Sequence, residues 1–276
     1  MKFTKMHGLG NDFVVVNEKT VPTDVLDLAV KVCDRNFGVG ADGLVYILPS
    51  EIADFQMRIF NSDGTEAEQC GNAIRCVAKY IYDYQLTAAT EINLETKAGI
   101  QAVSLTVVDS KVTAVRVNMG SPILEGEKVP TIFNENPVIE KEIMIDGTSL
   151  CFTAVSMGNP HAVIFVDTIE NHFVKGLGPI IEKHEYFPRK TNVEFVEILN
   201  QSEVNMHVWE RGCGETLACG TGACATAVAA YLTGRTGPSV TVRLKGGDLF
   251  IEWDQEQNVV YMTGPSTVVF TGTWLL

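Results

Sequence analysis

The chain has 276 residues, 21 basic and 34 acidic side chains for a net charge of −13, and 46% hydrophobic residues. At about 150 residues per domain the length suits two domains with real cores. The acidic balance excludes a general nucleic-acid binder, which needs a basic footprint, and docking on anionic lipid. The stretch 218–232 is too short and too polar to span a bilayer, and the opening MKFTKMHGLGNDF has no apolar signal core. A cytoplasmic protein is expected, without membrane or nucleic-acid partners.

In chain order, β-branched or alternating runs punctuated by Gly, Asn, Asp or Pro predict strands at 12–16, 44–48 and 55–61, with a weaker helix at 23–36. A stronger helix runs from Cys70 to about Tyr84, where Ile74, Val77, Ala78 and Ile81 form one apolar stripe. Strands follow at 92–96, 100–108 and 112–118. A boundary is expected near Asn118-Met119-Gly120-Ser121-Pro122. Beyond it come strands at 149–155 and 162–166, a weaker helix at 173–183, and strands at 193–199 and 204–210. A helix from Cys219 to about Leu232 has almost no charge and small side chains, so it should be buried nearly all round and closely approached by its neighbours. Strands at 240–244, 249–253 and 259–262 complete the set. The last strand, 266–274, is expected to return to the first half. The domains are therefore 1–118, rejoined by 264–276, and 119–263.

Seven cysteines are an odd number in a long chain, which argues against a disulfide framework. No CxxC pair occurs, and the spacing of Cys213, Cys219 and Cys224 suits no common zinc site. No metal is expected.

An internal repeat is the most informative feature. EAEQCGNAIRCVAKY begins at Glu66 and ETLACGTGACATAVAAY at Glu215, an offset of 149 residues. Gly10-Asn11-Asp12-Phe13 resembles Gly158-Asn159-Pro160-His161 at offset 148, and 44–48 resembles 195–199 at offset 151. Three matches in one order at nearly one offset predict two similar halves, each a many-stranded sheet wrapped on one main helix.

Each repeat places a Cys-Gly at a helix start. Such an end has unpaired N–H groups and a positive dipole, which favour a thiolate and can hold a carboxylate. Two such ends facing one another would place a sulfur on each face of an α-carbon. That suits inversion by two bases, one thiolate removing the α-proton and the opposite thiol returning one. Cys33, Cys76, Cys151 and Cys224, and less firmly Cys213, read as packing residues.

GLGNDF from Gly8, NSDG from Asn61, CGN from Cys70, GNPH from Gly158, TNVEF from Thr191, ERGCGET from Glu210 and ACGTGACA from Ala218 together resemble the diaminopimelate epimerase family, across essentially the whole chain. The resemblance implies an α/β fold of two pseudo-symmetric domains, each a β-barrel-like sheet around a central helix. It implies no pyridoxal phosphate, no metal, and interconversion of LL- and meso-2,6-diaminoheptanedioate in lysine and cell-wall synthesis. Cys70 and Cys219 match the two catalytic thiols; His161 and Glu210 match the groups that assist them, His161 with Cys70 and Glu210 with Cys219. Gly71-Asn72 and Gly220-Thr221 match the donors for the reacting carboxylate. Asn11, Asn61, Asn159, Asn192, Glu210 and Arg211 match the polar set that reads the amino groups and distal carboxylate, Arg211 being the natural bidentate partner. Gly43 departs from members with a Gln there, and Phe270 stands where a Tyr of the dimer contact can occur. A homodimer is expected by analogy.

Three other readings stand beside this one. A proline racemase-like enzyme also uses two cysteines, but needs no partner for a second carboxylate. A thiol redox or metal-binding protein would recruit Cys213, Cys219, Cys224 and His207. A Cys-His hydrolase needs one nucleophile and leaves the duplication unexplained.

Overall fold

A computed structural model describes residues 1–68 and 70–275. The chain divides into two compact units, residues 1–118 with 263–276, and residues 119–262. Each is a mixed α/β assembly in which strands surround one helix.

The first unit opens with a hairpin, β1 (Lys2–Gly8) and β2 (Asn11–Asn17). Its turn is Leu9-Gly10, both with positive φ, 56° and 89°. This is the sense that matches strand twist, and Gly10 takes it without steric cost. Then come α1 (Val25–Cys33), β3 (Gly43–Leu48), β4 (Phe55–Asn61), β5 (Glu66–Ala67) and α2 (Gly71–Asp83). They are followed by β6 (Glu91–Thr96), β7 (Gly99–Val108) and β8 (Lys111–Asn118). β2 and β3 run parallel, β4 pairs antiparallel with β3, and β6 pairs parallel with β4. α2 turns its predicted stripe inward, with Ile74, Val77, Ala78 and Ile81 wholly buried against the strands. α1 covers the other face, where Leu28, Ala29 and Val32 meet Val14, Val16, Leu44 and Phe60. Covered on both faces, β2 and β3 read as continuous apolar runs.

The second unit repeats the order. β9 (Lys141–Ile145) and β10 (Thr148–Ser156) lead to β11 (Pro160–Phe165), which is parallel to β12 (Asn192–Asn200). β13 (Glu203–Glu210) and β14 (Gly214–Glu215) precede α4 (Gly220–Leu232), with α3 (Gly178–Glu182) lying between β11 and β12. β15 (Ser239–Leu244), β16 (Gly247–Asp254) and β17 (Val259–Gly264) complete it. Residues 222–230 of α4 are buried on all sides, packed by β10, β11, β12, β13, β15 and β16. A Cβ on Gly222 would lie 2.7 Å from Glu194 Oε1, which shows how closely the strands approach this helix. β18 (Thr267–Thr273) pairs antiparallel with β1 in the first unit.

The structure adds β9, which the sequence reading left out, and corrects that reading in three further places. The residues before 12 form a full strand, β1, whose pattern is broken by a buried lysine, Lys5. α1 is shorter than 23–36, because after Cys33 the Asp34 carboxylate accepts from the N–H groups of Asn36 and Phe37 and turns the chain. The expected helix at 173–183 starts as a π-helical turn at His172–Leu177 and becomes α-helical only at Gly178, which lies against Trp209.

Lys5 is held by Asp12 at 2.6 Å, and Arg35 clamps both Asp12, at 2.8 Å, and Asp42, at 2.7 Å. Burial pushes the Asp12 carboxyl up, but hydrogen bonds from Arg35 and Lys5 outweigh it and bring the pKa down to about 2. A depressed carboxylate stabilises the fold above its unfolded pKa, and that contribution is lost as pH falls toward the folded value. Wild type should therefore exceed Asp12→Asn by about 2 kcal/mol at neutral pH. The gap, read from urea midpoints, should narrow as pH falls from about 4 toward 2. A gap constant over that range would refute the assignment.

Candidate active site

In the first unit, Cys70 caps α2 in extended conformation (φ −152°, ψ 112°), and its carbonyl accepts the first helical bond, from Ile74 N–H at 2.9 Å. The N–H groups of Gly71 and Asn72 precede that bond and open off the helix end. The Cys70 thiol donates to Asn11 Oδ1 at 3.7 Å, and Asn72 Nδ2 donates to the same oxygen at 3.1 Å. Asn11 Nδ2 in turn donates to Asp42 at 2.6 Å, which fixes the amide so that its oxygen faces the thiol. Asn61, at the end of β4, donates through Nδ2 to Thr65 at 2.9 Å and lies opposite Gly43. A Cβ on Gly43 would sit 3.1 Å from Phe60 O, so a longer residue needs the strands to shift.

The second unit builds the same start with different chemistry. Cys219 caps α4 (φ −125°, ψ 111°) and is 5% exposed. Its sulfur accepts from Gly222 N–H at 3.3 Å and lies 3.5 Å from Thr221 Oγ1. Burial pushes the Cys219 thiol well above its ordinary range, and the Glu210 and Glu194 carboxylates push it further, against the Thr221 hydroxyl and the Gly222 N–H. The sequence reading expects a helix start to favour the thiolate; at Cys219 desolvation outweighs the helix end, so this sulfur rests protonated.

Glu210 ends β13, accepts from the Thr216 hydroxyl, and lies beside the Cys219 thiol. Burial raises its pKa; Thr216 and Cys219 oppose this, Glu194 adds to it, and His161 opposes. His161 is 1% exposed on β11, with Nδ1 2.7 Å from Glu194 and Nε2 3.0 Å from Asn159 Oδ1. Asn159 Nδ2 donates to Thr221 at 3.2 Å, which ties His161 to the start of α4. Asn192 is engaged by backbone on both sides, donating to Pro160 O at 2.8 Å and accepting from Arg211 N–H at 2.9 Å. It therefore holds the turn that carries Arg211, whose exposed guanidinium donates to Arg189 O at 3.3 Å.

Thus Asn11, Cys70, Gly71 and Asn72 gather in one unit, with Asn61 on a neighbouring strand. Asn159, His161, Glu210, Cys219, Gly220 and Thr221 gather in the other, with Asn192 and Arg211 linked beside them. The sequence reading misses Glu194, Thr216, Asp42 and Arg75. One signal was present, a charged residue within the apolar run of TNVEF.

The match with the family model for diaminopimelate epimerase covers residues 3–125 and 153–269. A curated relative named diaminopimelate epimerase from Methanococcus maripaludis (strain C5) is 54% identical over 273 residues, 99% of each chain. One of the same name from Moorella thermoacetica is 53% identical over 278 residues, covering all of both. Among solved structures, a hydroxyproline epimerase from Agrobacterium vitis shares the fold at TM-score 0.71 and 18% identity, over 99% of this chain and 90% of that one. A phenazine biosynthesis protein from Bacillus anthracis does so at TM-score 0.70 and 17% identity, over 100% and 99%. These two speak for the fold alone. With full-length identity above one half and a family model matching both units, the chain belongs to the diaminopimelate epimerase family.

Proposed function

We propose that this chain is an isomerase that interconverts LL- and meso-2,6-diaminoheptanedioate, a step of lysine and cell-wall precursor synthesis, with Cys70 and Cys219 as its two acid–base groups. The observation that carries the reading is the pair of cysteines at matching helix starts. They occur in a chain 54% identical to a relative named for this reaction.

One sulfur, as thiolate, takes the α-proton; the other, as thiol, delivers a proton to the opposite face. The resting protonation of Cys219 suits it to the second role in one direction. The roles exchange in reverse. His161 relays protons for Cys70 and Glu210 for Cys219, whose thiol it already contacts. An amino-acid α-proton is weakly acidic, so charge gathering on the carboxylate must be met by fixed donors. The N–H groups of Gly71-Asn72 and Gly220-Thr221 are those donors in this reading. Asn11, Asn61, Asn159, Asn192 and Arg211 read or hold the reader of the amino groups and the distal carboxylate, Arg211 as bidentate partner. The acid–base groups suffice for the chemistry, and the reaction is proposed to need neither pyridoxal phosphate nor metal.

The cytoplasm is the proposed location; among the described residues no helix is long and apolar enough to cross a membrane. A homodimer is proposed through β18, where Val269 and Phe270 are half exposed, Phe270 resting edge-on against Phe3 at 5.9 Å.

Proton NMR of LL-diaminopimelate with reduced protein in D₂O, without added pyridoxal phosphate, tests this. Deuterium at one α-position with appearance of the meso isomer is the expected result. No exchange from folded, reduced protein removes this substrate, and exchange with proline instead would favour the proline racemase-like reading.

A further inference from the structure

The two units place different side chains at equivalent positions of the same strand pair. In the first, Phe13 is paired with Gly43 and Val15 with Val45 across parallel β2 and β3. In the second, His161 is paired with Asn192 and Val163 with Glu194 across parallel β11 and β12. His161 therefore stands where the first unit has Phe13, and Glu194 where it has Val45, so the register sets this strand's offset at 149 and corrects the 151 read from the sequence. All four side chains are buried, and those of His161 and Glu194 are 0% exposed.

A buried ion pair is a poor device for stability, because desolvating both groups offsets their attraction. The first unit fills the same two positions with apolar side chains, so the fold does not require charge there. Stability thus fails to explain Glu194. Geometry offers another account. Glu194 Oε1 lies 2.7 Å from His161 Nδ1, the one hydrogen-bond partner of that nitrogen among the described residues. Oε2 is buried with no partner among the described residues, so the carboxylate is committed to the ring alone. Gly222 closes over it, leaving no room for a Cβ beside Oε1. The other ring nitrogen, Nε2, lies 3.0 Å from Asn159 Oδ1, which can only accept, so a ring that meets both neighbours carries a proton on each nitrogen; Asn159 Nδ2 in turn donates to Thr221 at the start of α4.

We propose that Glu194 is a positioning residue for His161: it fixes the ring and holds a proton on Nδ1 against a carboxylate, so that the Nε2 proton, held only by the neutral Asn159 amide oxygen, is the one left to exchange. The proposal rests on the epimerase reading for its purpose, but the proton placement itself does not. A carboxylate that orients a histidine and sets its tautomer is a general acid–base device. The other titratable groups of this cluster are Glu210 on β13 and Cys219 at the start of α4.

Nitrogen-15 NMR of the histidine rings in the wild-type protein is the direct test. The double variant His161→Phe with Glu194→Val, which copies the first unit's pair, assigns the His161 signals by their loss. Nδ1 of His161 should be the nitrogen that carries the anchored proton. In Glu194→Val nothing accepts from Nδ1 while Asn159 Oδ1 still accepts from Nε2, so the neutral ring should carry its proton on Nε2. Turnover should then fall by about 10²- to 10⁴-fold, mostly in kcat, with a displaced pH profile. Glu194→Asp should recover part of it. An unprotonated Nδ1 in wild type overturns the proposal even if the variant fails to fold. So does a folded Glu194→Val with wild-type ring signals. If wild type turns over no diaminopimelate, the substrate reading fails while the nitrogen spectra still judge Glu194.

Discussion

Cys70→Ala and Cys219→Ala should each slow LL-to-meso conversion by at least about 10³-fold, because each face of the α-carbon depends on its own acid or base and general acid–base groups are worth about 10²- to 10⁴-fold apiece. The two variants should differ in what survives. A protein that keeps one thiol can still take a proton from one face and return deuterium to that face. Slow α-exchange without inversion is therefore expected for one isomer and not the other, opposite in the two variants. Recording deuterium uptake and isomer ratio in the same NMR sample separates these events. Turnover within tenfold of wild type in either variant would defeat the two-base reading. Cys76→Ala is the control. Cys76 is wholly buried in α2, and burial pushes its thiol up to about 12 against the opposing charges of Arg75 and Lys79. Its loss should leave turnover intact and cost about 1–2 kcal/mol of packing.

Arg75→Met should be the most destabilising single change outside the apolar core, at about 3 kcal/mol. Arg75 lies on α2 with no exposed surface. Its Nη2 donates to Asn72 Oδ1 at 2.8 Å and its Nε to Pro265 O at 3.1 Å, while Ser266 Oγ donates to the Arg75 carbonyl at 3.1 Å. One side chain thus holds both the start of α2 and the segment leading into β18. Methionine keeps the stem but strands the buried Asn72 Oδ1 and the partly buried Pro265 carbonyl. It also frees Asn72, which shares the Asn11 oxygen with the Cys70 thiol, so turnover should fall with stability. A urea midpoint shifted to lower concentration with unchanged slope is the expected outcome; an unmoved midpoint would show that the acceptors find other donors. Arg75→Lys should restore little, since an ammonium cannot reproduce the fork that reaches both acceptors.

The neighbourhood of Arg75 also shows where sequence reasoning stops. The apolar stripe of α2 was legible because Ile74, Val77, Ala78 and Ile81 recur at the helix period, whatever surrounds them. Arg75 falls between them and reads as a surface residue, since arginine is almost never fully buried without partners. Its partners, Asn72 and Pro265, lie 3 and 190 residues away, and only the first is visible in a helical pattern. The same holds for Lys5, which obscured β1 because the carboxylate that neutralises it belongs to the next strand.

The sequence by itself determined the mixed α/β class, the duplication and the two Cys-Gly helix starts. Each of these is carried by local periodicity or by spacing along the chain. Tertiary structure decided which of those residues share an environment. Burial and two carboxylates keep the Cys219 thiol protonated, although its helix start looks like that of Cys70. Glu194 reaches His161 only because β11 and β12 run side by side, bringing together residues 33 positions apart. Protonation and orientation depend on desolvation and on neighbours across strands, and neither is written in the order of residues along one strand.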